Sequence, residues 1–86
     1  MHVAIPSALR SYTAGAATVE ACGTTVQELL GDLETRFPGI RFRMVNEIDA
    51  LRPHIRIFVN RQQVDDLCQT LSSADEVVIL QALSGG

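Results

Sequence analysis

Lysine is absent: all seven basic residues among the 86 are arginines. Compositional bias from a GC-rich genome is the simplest account, and in either case the chain carries no lysine amine for others to acylate. Cysteine is scarce. Cys22 and Cys68 stand far apart and form no C-x-x-C pair, whereas small secreted domains carry several bridges. Both are expected to be small buried hydrophobes in a reducing cytosol. No apolar run approaches the roughly 20 residues that span a bilayer. The opening "MHVAIPSALR" lacks the basic start and long apolar stretch of an export signal, so a cytoplasmic location is expected.

Charge is scarce in a second sense. The net charge is −3 and like charges form no block, so neither nucleic acid nor a membrane surface is an expected partner. An acidic domain suits a docking surface that is basic. Sets that do chemistry are missing too. His2 and His54 have no neighbour at ligand spacing, so no metal is expected. The phosphate-cradling patterns G-x-G-x-x-G and G-x-x-x-x-G-K are absent, and Asp65-Asp66 beside a turn reads as a solvated pair. A fold this small, without cleft-forming insertions, is expected not to be an enzyme by itself and to bind no cofactor.

What is present fits one domain, with too few residues for two. A hydrophobic fraction of 47% is too high for a disordered chain. A domain of this size buries about 60–65% of its unfolded surface, so nearly every apolar position must contribute.

The helix signal is the clearest. Val26, Leu29, Leu30, Leu33 and Phe37 fall at i, i+3, i+4, i+7 and i+11, one stripe on a helix. Thr25-Val26-Gln27-Glu28 reads as a capping box, and Pro38-Gly39 as the stop. Gly31 inside the helix costs about 1 kcal/mol against alanine, tolerable where the helix lies close against a sheet. Strands are expected at Val3–Ile5 and at Thr18–Cys22, forming a hairpin across a loop from Ser7 to Ala17. Ile40 to Pro53 wanders, with a turn or two of irregular helix. "HIRIFVN", His54 to Asn60, is a strand with Ile55, Ile57 and Val59 on one face. A turn follows from Asn60, Val64 begins a short extended piece, and Leu71 to Asp75 turn into the last strand, Glu76 to Leu80.

This β-β-α-β-β order describes an α+β fold, a mixed sheet of four or five strands on one main helix, with the first and last strands parallel at its centre. "VVIL" is apolar at every position, so alternate members must face away from the helix. If Ile57 faces inward, Phe58 faces outward, and an apolar set of Phe58 with Val78 on the open face would make a partner surface. The competing reading is that central strands are apolar anyway and a loop covers that face.

Beyond Leu80 the sequence ends "QALSGG". A domain over residues 1–80 and a tail over 81–86 are expected, the six tail residues reaching roughly 20 Å. A free terminal carboxylate has a pKa near 3.3–3.7 and is ionised at neutral pH. Glycine has no Cβ, so Gly85 and Gly86 can enter a channel too narrow for side chains. That suits a carboxylate delivered into another protein's active site.

The strand order, the length, "ADEVVIL" before the tail and the terminal Gly85-Gly86 resemble the ubiquitin-like β-grasp sulfur carriers, which include the small subunit of molybdopterin synthase and the thiamin-biosynthesis carrier. "IPSALRSYTAG", "TTVQELLGDLETRFPG" and "IRIFVN" are most similar to the molybdopterin-synthase branch, in particular to members that supply sulfide for cysteine synthesis. The resemblance implies a role and a mechanism. A ubiquitin-activating-like adenylyltransferase uses ATP to adenylate the Gly86 carboxylate. A sulfur donor enzyme then converts it to a thiocarboxylate, and a sulfur-accepting synthase takes the sulfur. Gly85 is the spacer, while Phe58, Val78, Leu80, Leu83 and Ser84 would dock. Two alternatives stand beside this: a ubiquitin-like modifier conjugated through Gly86, which without lysine could not build lysine-linked chains of itself, and a non-covalent binding module.

Overall fold

The computed structural model describes residues 1–82. Strand β1 (His2–Ala4) buries Val3 and runs antiparallel to β2 (Thr18–Glu20), with Val3 opposite Val19. This is the expected hairpin. Strand β2 stops at Glu20, two residues short of expectation. Between the strands the chain does not form a plain loop. Ser7–Thr13 winds into a 3-10 helix that sends Leu9 and Thr13 inward, and the left-handed residues Ala14 and Gly15 end it. Small residues gave no periodic signal there. The segment is held by what it packs on, since Leu9 is only 3% exposed within the core.

Helix α1 (Val26–Arg36) follows the stripe read from the sequence. Val26, Leu29, Leu30 and Leu33 are buried, and Phe37 packs half-buried at its C-terminal cap. Thr25 caps as expected, its hydroxyl accepting from the Glu28 N–H at 3.2 Å. The returning half of the box lands one residue early: the Glu28 carboxylate accepts from the N–H and hydroxyl of Thr24, at 2.9 and 2.6 Å. A neighbour distant in sequence also lies along the helix start. Thr25 pairs with Thr70, and the Val26 and Gln27 N–H groups donate to the carbonyls of Gln69 and Leu67. A loop thus satisfies the first helical donors, which a helix cannot satisfy internally.

Two glycines have structural reasons and one does not. A Cβ on Gly23 would lie 2.5 Å from the Leu29 nitrogen and 2.9 Å from the Glu28 carbonyl carbon, so the chain crosses there against the helix backbone. Gly39, at φ 97°, caps the short helix α2 (Ile40–Met44), a conformation that favours glycine. Gly31 was expected to lie close against the sheet. It does not: a Cβ there would meet nothing within 4 Å.

Strand β3 (Ile55–Val59) buries Ile55, Ile57 and Val59. Asn60 and Arg61, at φ 51° and 70°, make the two-residue turn whose left-handed backbone matches sheet twist. Strand β4 (Gln62–Val64) therefore starts at Gln62 and ends at Val64, rather than beginning there. Asn60 also ties this turn to the start of β5 (Val77–Gln81). Its amide donates to Asp75 at 2.9 Å, and its side-chain oxygen accepts from the Glu76 N–H at 3.0 Å.

The five strands form one mixed sheet in the order β2-β1-β5-β3-β4, with β1 and β5 parallel at the centre. Helix α1, Ile40 and Met44 of α2, and Leu9 close one face into a single apolar core. Both cysteines are exposed, against expectation. Cys22 follows the fully buried Ala21, and Cys68 sits on a turn whose backbone is held by the Asp66 carboxylate at 2.8 Å.

Candidate docking face and tail exit

The open face of the sheet is set by period and register together. In β5, Val77 and Ile79 are 1% exposed, while Val78 is half-buried and Leu80 is 47% exposed. Register then gathers the outward residues. Phe58 lies directly opposite Val78, Arg56 opposite Leu80, and Ala4 of β1 beside Val78 on the other flank. Facing side chains on adjacent strands lie about 4.5–5.5 Å apart at Cβ. Phe58, Val78 and Leu80 therefore make one apolar strip over the two central strands, with Arg56 at its end. Of the expected docking residues these three are brought together. Leu83, Ser84, Gly85 and Gly86 lie outside the described residues.

Strand β5 does not release the chain at Leu80. Gln81 still pairs with Ile55, and the Ala82 N–H donates to the His54 carbonyl at 2.8 Å. Sheet hydrogen bonding thus runs two residues into the stretch assigned to the tail. Beside this exit a cleft of about 270 Å³ is lined by Ala8, Leu9, Tyr12, Arg43, His54 and Gln81, among others.

Carboxylates with lowered pKa values are structural staples placed in turns and caps. Glu28 is held below the usual range by the Thr24 hydroxyl and N–H, and Asp32 by Arg36 and then by the Cys22 N–H. Glu34 is lowered by the N–H groups of Gly39 and Arg41, and Asp75 by the Ser72 N–H and Asn60. His2 is occupied locally, its Nδ1 2.9 Å from Glu20. Asp65-Asp66 follows the solvated reading, Asp66 bonding the backbone of its own turn. Among the described residues no group of three or more His, Cys, Asp or Glu side chains could hold a metal ion. Among them, too, no helix is long and apolar enough to cross a membrane.

A small five-stranded sheet grasping one helix, with the central strand running out toward two glycines, prompts comparison with known proteins. Residues 3–86 match the ThiS family. The chain belongs to that family. It is 34% identical over 89 residues to the sulfur carrier protein CysO of Mycobacterium tuberculosis, covering 98% of this chain and 96% of that one. It also superposes on a chain in the crystal structure of the Amycolatopsis orientalis BexX/CysO complex. The TM-score there is 0.91 at 39% identity, covering 99% of this chain and 98% of the other. Small archaeal modifier protein 1 of Methanosarcina acetivorans shares the fold at 26% identity and a TM-score of 0.81, over 99% of this chain and 94% of that one. The α+β, ubiquitin-like β-grasp architecture of this ThiS-family chain is therefore shown, and the CysO carriers are relatives along its whole length.

The acidic net charge hides a basic segment at the exit. Residues 41–56 hold four of the seven arginines but only two of the ten carboxylates. The fold places this stretch beside the end of β5, since Arg43 and His54 line a cleft with Gln81. Counting charge by segment instead of over the whole chain would have found it.

Proposed function

We propose that this chain is a sulfur carrier that works through a thiocarboxylate on Gly86. The observation that carries the reading is family membership reaching to the last residue: the match spans residues 3–86 and so includes both glycines. The partner adenylyltransferase directs the Gly86 carboxylate oxygen at the α-phosphorus of ATP, and pyrophosphate leaves. Sulfide-level sulfur from the donor enzyme attacks the acyl carbon, the C–O bond to AMP breaks with its electron pair leaving on AMP, and the thiocarboxylate remains. The synthase then takes that sulfur into its own substrate, and water restores the carboxylate. In this scheme the folded domain is a co-substrate and docking body. It binds no cofactor itself, and ATP belongs to the activating enzyme. Similarity to CysO favours the branch that supplies sulfide for cysteine synthesis over the molybdopterin branch.

The chain's own contribution is positional. Strand β5 is central, with a strand on each side, so its C-terminal end leaves a rigid platform. Four residues beyond Ala82 reach about 13–14 Å. Glycine at the last two positions lets the backbone pass where a Cβ would collide. The strip of Phe58, Val78 and Leu80 flanks that exit and supplies apolar contact for a partner.

The test is intact mass after incubation with the adenylyltransferase, ATP and a sulfur donor. One sulfur-for-oxygen exchange on the free protein is expected. Deleting Gly85-Gly86 should abolish the exchange and leave the thermal midpoint almost unchanged, because the two glycines follow the last apolar strand residue and carry no side chain to pack. No mass change in the intact chain would sink the carrier reading. The modifier reading draws support from the likeness to small archaeal modifier protein 1, and it predicts conjugates of this chain to other proteins instead.

A further inference from the structure

The exit rim carries guanidinium groups that the fold has ordered without neutralising. Arg43 donates its Nε to the Tyr12 hydroxyl at 2.7 Å, and its guanidinium lies 5.9 Å from the centre of that ring. Arg52 donates its Nε to the Phe42 carbonyl at 2.7 Å and lies over the Phe42 ring at 4.6 Å. Both line one cleft of about 210 Å³ with Phe42 and His54. Among the described residues neither has a carboxylate within salt-bridge distance, and neither terminal amino group makes a hydrogen bond. Arg41, by contrast, is paired with Asp49 at 2.9 Å. Phe42 is itself 60% exposed.

Stacking and the Nε bond remove much of the rotamer freedom that an arginine loses on binding, and they leave the outer fork ready for a bidentate acceptor. We infer that Arg43 and Arg52 form a docking clamp for an acidic segment, Asp or Glu side chains on the partner enzyme at the mouth of the channel that receives the tail. This rests on the carrier reading, and charge complementarity selects the occupant. Four residues beyond Ala82 reach at most about 13–14 Å, enough for Gly86 to enter a reaction centre set back from the rim. Guanidinium groups that stay at the channel mouth face protein side chains there, and acidic ones supply the counter-charge that Arg43 and Arg52 lack. Phe42, which lines the same cleft, supplies the apolar contact that often accompanies such anchors.

The test measures binding of the full chain to the adenylyltransferase, with and without ATP, across a salt series. It compares the wild type, Arg43→Gln and the double variant Arg43→Gln/Arg52→Gln. Wild-type affinity should fall steeply as salt screens the rim. The double variant should bind about tenfold more weakly at low salt and lose most of that salt dependence, with an unchanged circular dichroism spectrum. Should the double variant fail to fold, Arg43→Gln alone decides, since it alters an exposed side chain. Wild-type affinity in the variants overturns the inference. So does a loss seen only with ATP present, which makes phosphate the ligand. The two readings fail separately. An intact chain that accepts sulfur while binding independently of the rim ends only the clamp, and one that binds through the rim but accepts no sulfur ends only the carrier.

Discussion

Alanine at Gly23 and alanine at Gly31 should move stability in opposite directions. At Gly23 the new methyl would sit 2.5 Å from the Leu29 nitrogen, 2.9 Å from the Glu28 carbonyl carbon and 2.9 Å from the Leu29 Cα. All three are backbone atoms of α1, so no side chain can swing away. Ordinary contact needs about 3.5 Å or more, so the helix and the 21–24 segment must separate by roughly 1 Å. That shift acts on the bonds from Thr24 to Glu28 and on Leu29 and Leu30, which are at most 1% exposed. Overpacking of this kind costs about 1–3 kcal/mol, against a total of about 4–13 kcal/mol for a domain this size. The thermal midpoint should drop by about 4–24 °C. At Gly31 the methyl meets nothing within 4 Å, and removing glycine from a helix interior gains about 0.5–1 kcal/mol. Urea unfolding followed by circular dichroism measures both. A Gly23→Ala midpoint equal to wild type would show that the loop yields freely and that the helix is not clamped there. A destabilised Gly31→Ala would mean that the open side of α1 is covered after all.

Leu33→Ala should cost about 2–5 kcal/mol, because the side chain is fully enclosed by core. Phe58→Ala should cost less and weaken binding to the adenylyltransferase by at least about 1 kcal/mol; severe unfolding with unchanged affinity of the folded remainder rejects its docking role. Acid should destabilise the fold in a set window. Glu28, Asp32, Glu34 and Asp75 have folded pKa values below their ordinary ones, so their stabilisation is complete above the unfolded values near pH 4 and is lost as pH falls through the folded values. The thermal midpoint should hold from pH 7 to about 5 and decline below about 4, with a shallower decline in Glu34→Gln. An identical acid limb in that variant means that its bonds to the Gly39 and Arg41 N–H groups contribute nothing.

The sequence alone determined the parts of this protein that depend on near neighbours. The α1 stripe needs only residues three and four apart, and the grouping of Ile55, Ile57 and Val59 on one face needs only alternation. The Thr25 cap needs a hydroxyl three residues before a free N–H, and the turn at Asn60 needs a residue that tolerates left-handed backbone. Alternation set Phe58 opposite in face to Ile57 and Val59, while packing decided which face is inward; the family resemblance came from the same legible elements. Tertiary structure decided whatever depends on which surface meets which. Ser7–Thr13 winds up because Leu9 finds the core, and residues 67–70 come to satisfy the Val26 and Gln27 N–H groups only once the chain has folded back on the helix start. Gly31 is open and Gly23 is crowded for the same kind of reason: α1 has one packed side, and propensity does not say which glycine faces it. Cys22 and Cys68 are outside because both lie in connecting segments between elements, where burial no longer follows residue type. The arginines of residues 41–56 meet the end of β5 only once α2 and β3 have packed, because that proximity arises from contacts between elements and has no period in the sequence.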